Sequence, residues 1–65
     1  MVEKYPLLEE PGKTMFVFAA NGKYYGHIIK DRTDKGPAKF LFETPRYESV
    51  EALKSDYPPA TASGG

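Results

Sequence analysis

The chain has 65 residues, with nine Lys/Arg against nine Asp/Glu, 40% hydrophobic residues and no cysteine. That length holds one domain, whose core supplies no more than about 3–5 kcal/mol of net stability; the lack of cysteine excludes a disulfide framework and any thiolate metal site. Zero net charge argues against binding nucleic acid or membranes by bulk charge, no apolar run approaches the roughly 20 residues of a transmembrane helix, and the N-terminus lacks the basic-then-apolar order of a signal peptide, so a cytoplasmic protein is expected.

In chain order, residues 1–12 hold Pro6, Pro11 and Gly12 around Leu7-Leu8-Glu9-Glu10. Each proline removes a backbone donor and restrains the residue before it, so this segment reads as an irregular N-terminal arm. Its Tyr5, Leu7 and Leu8 give it enough apolar surface to lie along a sheet edge or to cover an apolar face.

Residues 13–58 read as the folded domain. Thr14 to Ala20 and Lys23 to Lys30 are rich in aromatic and β-branched residues that suit a pleated sheet, and Asn21-Gly22 between them tolerates the two positive φ angles of a type I′ turn. This predicts a hairpin in which Phe18 faces Tyr25, Phe16 faces His27 and Met15 faces Ile28. A second turn lies in Arg32-Thr33-Asp34-Lys35-Gly36. Read as a three-residue loop with Gly36 in the left-handed position, it pairs Thr33 with Pro37, Asp31 with Lys39, Lys30 with Phe40, Ile29 with Leu41 and Ile28 with Phe42, on a third strand from Ala38 to about Glu43.

Alternation along the strands then sorts the sheet into two faces. Met15, Val17, Ala19, Tyr24, Gly26, Ile28, Phe40 and Phe42 form the predicted core face. Phe16, Phe18, Tyr25, His27, Ile29 and Leu41 form the other, with Lys23, Asp31 and Lys39 around them. An antiparallel sheet normally solvates one face, yet here the nominally outer one is aromatic. Beyond the sheet, Tyr47, Val50, Leu53 and Tyr57 recur at helical spacing up to Pro58-Pro59, with Ser49 as N-cap and Glu51 in the first turn. Thr44-Pro45 is a rival start one turn earlier. Residues 59–65 read as a flexible tail. The expected fold is α+β: a three-stranded antiparallel β-meander with one C-terminal helix packed on one face.

Catalysis finds little support. His27 is the only histidine, and Ser49, Ser55 and Ser63 are remote from it in sequence, whereas a triad or metal site needs several such groups to converge. No glycine spacing matches a phosphate loop. No enzyme, cofactor or metal is expected.

The reading that follows is a small protein-binding or regulatory factor whose partner is a protein or a second copy of the chain. Its contact residues are Phe16, Phe18, Tyr25, His27 and Leu41 with Lys23 and Lys39, because a contiguous aromatic patch rimmed by charge is rarely left in water; an exposed strand edge is the other docking device. The competing reading of that face is that Tyr5, Leu7 and Leu8 fold over it. On the face assignment, Phe40→Ala should unfold the domain, while Phe16→Ala or Tyr25→Ala should spare the fold and lose the partner.

Two alternatives accompany this reading. The same aromatic and basic face is how sheet-platform modules stack bases and hold phosphates of single-stranded nucleic acid, although no RNP-type sequence is present. Gly64-Gly65 resembles the tail of ubiquitin-like modifiers and sulfur carriers, which would make the chain a carrier or modifier. The succession Asn21-Gly22-Lys23 through His27-Ile28, then Tyr47-x-Ser49-Val50-Glu51-x-Leu53-x-x-x-Tyr57, is similar to the second half of an SH2 domain. The N-terminal helix and buried strand arginine of that family have no counterpart here, so its phosphotyrosine function is not carried over.

Overall fold

The computed structural model describes residues 1–60. Four strands, β1 (Glu3–Pro6), β2 (Lys13–Ala20), β3 (Lys23–Lys30) and β4 (Lys39–Glu43), form one antiparallel sheet in the order β1-β2-β3-β4, followed by helix α1 (Val50–Asp56). The fold is therefore the expected α+β meander and helix, with a fourth strand where an irregular arm was expected.

The extra strand is made by the two features that suggested disorder. Pro11 and Gly12 occupy the centre of a turn closed by Lys13 N donating to Glu10 O at 3.1 Å, with Gly12 at φ 84°, the arrangement for which proline and then glycine are the natural pair. The turn returns the chain so that Glu3 to Pro6 pair with Val17 to Thr14. Pro6 is tolerated because β1 is an edge strand. The C-terminal end of that edge is paired on its outer side by the segment after the helix, through Leu8 N to Pro58 O (2.9 Å) and Ala60 N to Pro6 O (2.8 Å). Ordered packing thus extends to Ala60, beyond the boundary expected at residue 58; the rest of the expected flexible tail, with Gly64-Gly65, lies outside the described residues.

The Asn21-Gly22 hairpin has the expected register throughout, with Asn21 at φ 52° and Gly22 at φ 78°. The second hairpin does not. Thr33 and Gly36 exchange backbone bonds (Thr33 N to Gly36 O, 2.9 Å; Gly36 N to Thr33 O, 3.2 Å), and Lys35 N donates to Thr33 Oγ1, so the turn holds two residues, Asp34 and Lys35, instead of three. Gly36 is not in the left-handed region. Near the turn the pairing is consequently displaced by one, with Lys30 opposite Lys39 and Ile29 opposite Phe40. An irregularity between Ile28 and Ile29 leaves Leu41 as the extra residue on β4, and the expected pairing of Ile28 with Phe42 is restored beyond it. After β4 the chain stays beside β3: Thr44 N donates to Gly26 O, Gly26 N donates to Thr44 Oγ1, and Tyr47 and Tyr24 exchange backbone bonds. Thr44 is thereby the anchor of this return and not a helix start, and α1 begins at Val50, where Ser49 Oγ accepts from Ala52 N at 3.1 Å.

The core comprises Tyr5, Leu7, Met15, Val17, Ile28 and Leu53, so the helix roofs β1 to β3. Tyr5 Oη donates to Tyr57 O at 2.7 Å, and Lys54 Nζ lies 2.5 Å from a Glu3 carboxylate oxygen, tying the helix to β1. Seven helical residues span about 10 Å and are about 10 Å wide, whereas four strands measure about 14 Å across. The helix cannot cover the whole sheet, and β4 overhangs it. Phe42 is accordingly 47% exposed and Ala19 is exposed at the far end of the same face, while Phe40, 54% exposed, is carried to the opposite face by the shifted register; this corrects the core assignment of these three residues. Among the described residues no helix is long and apolar enough to cross a membrane.

Candidate protein-binding surface

The sheet face away from the helix carries the even-numbered residues of β2 and the odd-numbered ones of β3: Phe16 and Phe18 opposite His27 and Tyr25. The register slip adds Phe40, opposite Ile29. The rings of Phe18, Tyr25, His27 and Phe40 form a continuous stripe across three strands. Phe18 stacks on Tyr25 (centroids 5.6 Å, 26° between planes), Phe18 and Tyr25 both flank His27 (4.8 and 5.6 Å), and His27 meets Phe40 edge-on at 5.3 Å and 84°. Offset and edge-on arrangements at these spacings are the favoured aromatic geometries.

Charge frames the stripe without crossing it. Arg46, placed where the chain leaves β4, lies 5.3 Å over the Tyr25 ring. Glu43 Oε1 sits 3.2 Å from His27 Nε2, and the Lys23 ammonium pairs with Glu48. Thr14 Oγ1 donates to Asp31 Oδ1 at 2.6 Å, so Asp31 closes the end of the sheet instead of facing Lys39.

Of the seven contact residues expected from the sequence, Phe16, Phe18, Tyr25, His27 and Lys23 share this face. Leu41 and Lys39 do not. The two-residue turn puts Lys39 opposite Lys30, on the helix side, and the bulge turns Leu41 toward the core, against which it packs. Phe40 and Arg46 take their places. Phe40 was visible as an apolar strand residue but assigned to the wrong face; Arg46 had no signal, because its position depends on how the chain runs after Thr44. The arm does not cover the stripe. Tyr5 and Leu7 are buried beneath the helix, Leu8 is 56% exposed, and the β1 residues opposite Phe16 and Thr14 are Lys4 and Pro6.

Two tyrosines are perturbed, both away from the stripe. Burial, with the nearby Glu3 carboxylate second, pushes the Tyr5 hydroxyl up to about 12. Desolvation, then the hydrogen bond to Asp56 Oδ2 at 2.8 Å, raises Tyr47 to about 12. Both hydroxyls therefore stay protonated near neutral pH. Among the described residues no three His, Asp or Glu side chains converge as metal ligands.

No protein-family model matches the chain, and neither the curated proteins nor the solved structures contain a match. The likenesses to SH2 domains and to Gly-Gly-tailed carriers therefore stay with the residues that suggested them.

Proposed function

We propose that this chain is a small non-enzymatic protein-binding or regulatory domain that docks its partner on the Phe16/Phe18/Tyr25/His27/Phe40 face. The observation that carries this reading is the aromatic stripe's run outward to an edge strand without a backbone partner on its outer side among the described residues: β1 is paired outward at Pro6 by Ala60, while β4 ends the sheet with Phe40 more than half exposed. Such an edge offers unpaired backbone groups beside a large apolar anchor, the combination by which a partner strand or a flat apolar surface is gripped. Rigid aromatic side chains are also the usual carriers of binding energy at interfaces.

Single-stranded nucleic acid is the weaker reading on geometric grounds. Its phosphate contacts would need several free cations beside the rings, but Lys23 is paired with Glu48, Arg46 is stacked on Tyr25 and Lys39 lies on the other side of the sheet, which leaves Lys4, opposite Phe16.

The test is affinity capture from source-cell lysate with the wild-type chain and with Phe18→Ala/Phe40→Ser, each with and without nuclease, with light scattering of the purified chains for self-association. A stoichiometric protein partner, or a dimer, that survives nuclease and is lost in the variant is the expected result. Loss of the captured material on nuclease treatment, or equal capture by a folded variant, refutes the proposal.

A further inference from the structure

The overhang of β4 past the helix leaves a second concave surface, on the side of the sheet opposite the aromatic stripe. It is a cleft of about 270 Å³ between β4, the C-terminal end of α1 and the loop after β1. Its apolar lining is Leu7, Ile28, Leu41, Phe42 and Tyr57. Leu7 and Ile28 belong to the core, and Phe42 is the half-exposed wall. The volume falls just below the roughly 300–1,000 Å³ of pockets that take drug-sized ligands, and suits one long side chain.

The rim has a definite sign. Glu9, Glu10 and Asp56 border the cleft, with Lys13 the one cation. Lys13 is already engaged, its Nζ 2.5 Å from Glu10 Oε1. Asp56 spends one oxygen on the Tyr47 hydroxyl, a neutral donor, and Glu9 has no ion pair among the described residues. The rim therefore keeps two uncompensated negative charges around an apolar floor. This is a local feature, since from Lys13 to Lys39 the sequence carries six cations against two anions.

We propose that this cleft binds a lysine or arginine side chain of a partner polypeptide, next to a bulky apolar residue. Such a side chain buries its methylene stem along apolar surface and keeps its charged head in water, which matches a floor of Leu7, Ile28 and Leu41 below carboxylates at the rim. An acidic or neutral polar side chain would meet like charge or lose water without compensation. Phe42 supplies the wall for the neighbouring apolar residue. The site is separate from the aromatic stripe and stands whether or not that face binds a partner.

The experiment is a titration of the ¹⁵N-labelled full chain, followed by amide shifts, with the blocked peptide acetyl-Gly-Arg-Leu-Gly-amide. A second peptide carries citrulline, the uncharged isostere, in place of arginine. The expected result is saturable shifts at Leu7, Glu9, Leu41, Phe42 and Asp56, weakening with added salt. Binding should drop about tenfold or more with citrulline, and likewise in Glu9→Gln/Asp56→Asn, whose spectrum should otherwise overlay that of the wild type because both positions are exposed and the introduced amide keeps an acceptor for Tyr47. Equal binding of the two peptides, shifts confined to the Phe18–His27 face, or no shifts at millimolar peptide would each overturn the proposal.

Discussion

Gly26→Ala should destabilise this domain, although a glycine in the middle of a strand is ordinarily a liability. Relative to alanine, glycine costs a strand about 0.5–1 kcal/mol through backbone entropy, so on propensity alone the substitution would stabilise. The packing reverses the sign. Gly26 is buried opposite Val17, and a Cβ built on it would lie 2.1 Å from Met15 Sδ and 3.3 Å from Met15 Cγ. Met15 is fully buried under the helix and cannot swing out to solvent. Forcing a methyl into such a site typically costs about 1–3 kcal/mol, leaving a net loss of up to about 2.5 kcal/mol after the entropy gain. Neither hydrogen bond between Gly26 and Thr44 involves the new carbon, so the collision with Met15 is the cause at issue. A double-mutant cycle isolates it. Met15→Val removes the sulfur and costs about 1–2 kcal/mol by itself, but it also makes the room that the new methyl needs. Followed by far-UV circular dichroism in urea, the double variant should be less destabilised than the sum of the single variants by at least about 1 kcal/mol. Additivity within about 0.5 kcal/mol would show that the methyl finds space elsewhere and refute this account of the core.

Leu53, the one fully buried helix residue, should be indispensable: Leu53→Ala costs about 2–5 kcal/mol, comparable with the whole stability, and should abolish the cooperative melt. Phe40→Ala, by contrast, should lower stability by less than about 1 kcal/mol, because its ring is more than half in water; a melt as damaged as that of Leu53→Ala would return Phe40 to the core. Ser49→Ala should cost about 1 kcal/mol through loss of the bond from Ala52 N, read as a shift in the urea midpoint at constant slope. Alkaline pH should unfold the wild type. The folded-state value for Tyr5 is raised to about 12 from about 10 in the unfolded chain, so its contribution is intact below pH 10 and is lost as pH rises toward 12, at most about 2–3 kcal/mol in all. Melting temperature measured from pH 9 to 12 should fall, and Tyr5→Phe should make that slope shallower, the more exposed Tyr47, raised in the same direction, accounting for part of the remainder.

The parts of the fold legible in the sequence are those set by local chemistry. Asn21-Gly22 admits one tight turn, and eight cross-strand pairs followed from it. Ser49 capped the helix where its side chain could reach Ala52 N. What escaped depended on choices between local solutions of similar energy. Pro6 and Pro11 read as breakers, yet an edge strand never asks Pro6 for a donor and a turn centre welcomes Pro11 beside Gly12. Thr33 to Gly36 could close over two residues or three; the Thr33 hydroxyl, by accepting from Lys35 N, favours the shorter loop, and Pro37 has no N–H to donate in the longer register. The five candidate contact residues that share one face lie on the strands of the first hairpin. The two that were misplaced, Leu41 and Lys39, lie beyond the second turn.

That second turn explains why the two faces of β4 differ in kind. With a three-residue loop, Phe40 would face the helix side, Leu41 the outer side, and Lys39 would meet Asp31. The shorter loop moves Phe40 outward to His27 and leaves two lysines, Lys30 and Lys39, opposite one another. Like charges directly opposed are unfavourable, so the register near the turn is held by the turn itself and not by its cross-strand pairs. One extra residue must then be absorbed before Phe42 can pair with Ile28, and Leu41 absorbs it by turning inward. The same bulge thus extends the aromatic stripe to the sheet edge and supplies the floor of the acidic-rimmed cleft on the other side. A chain of this size has no spare residues with which to build two surfaces separately; a one-residue difference between turn and strand lets a five-residue strand serve both.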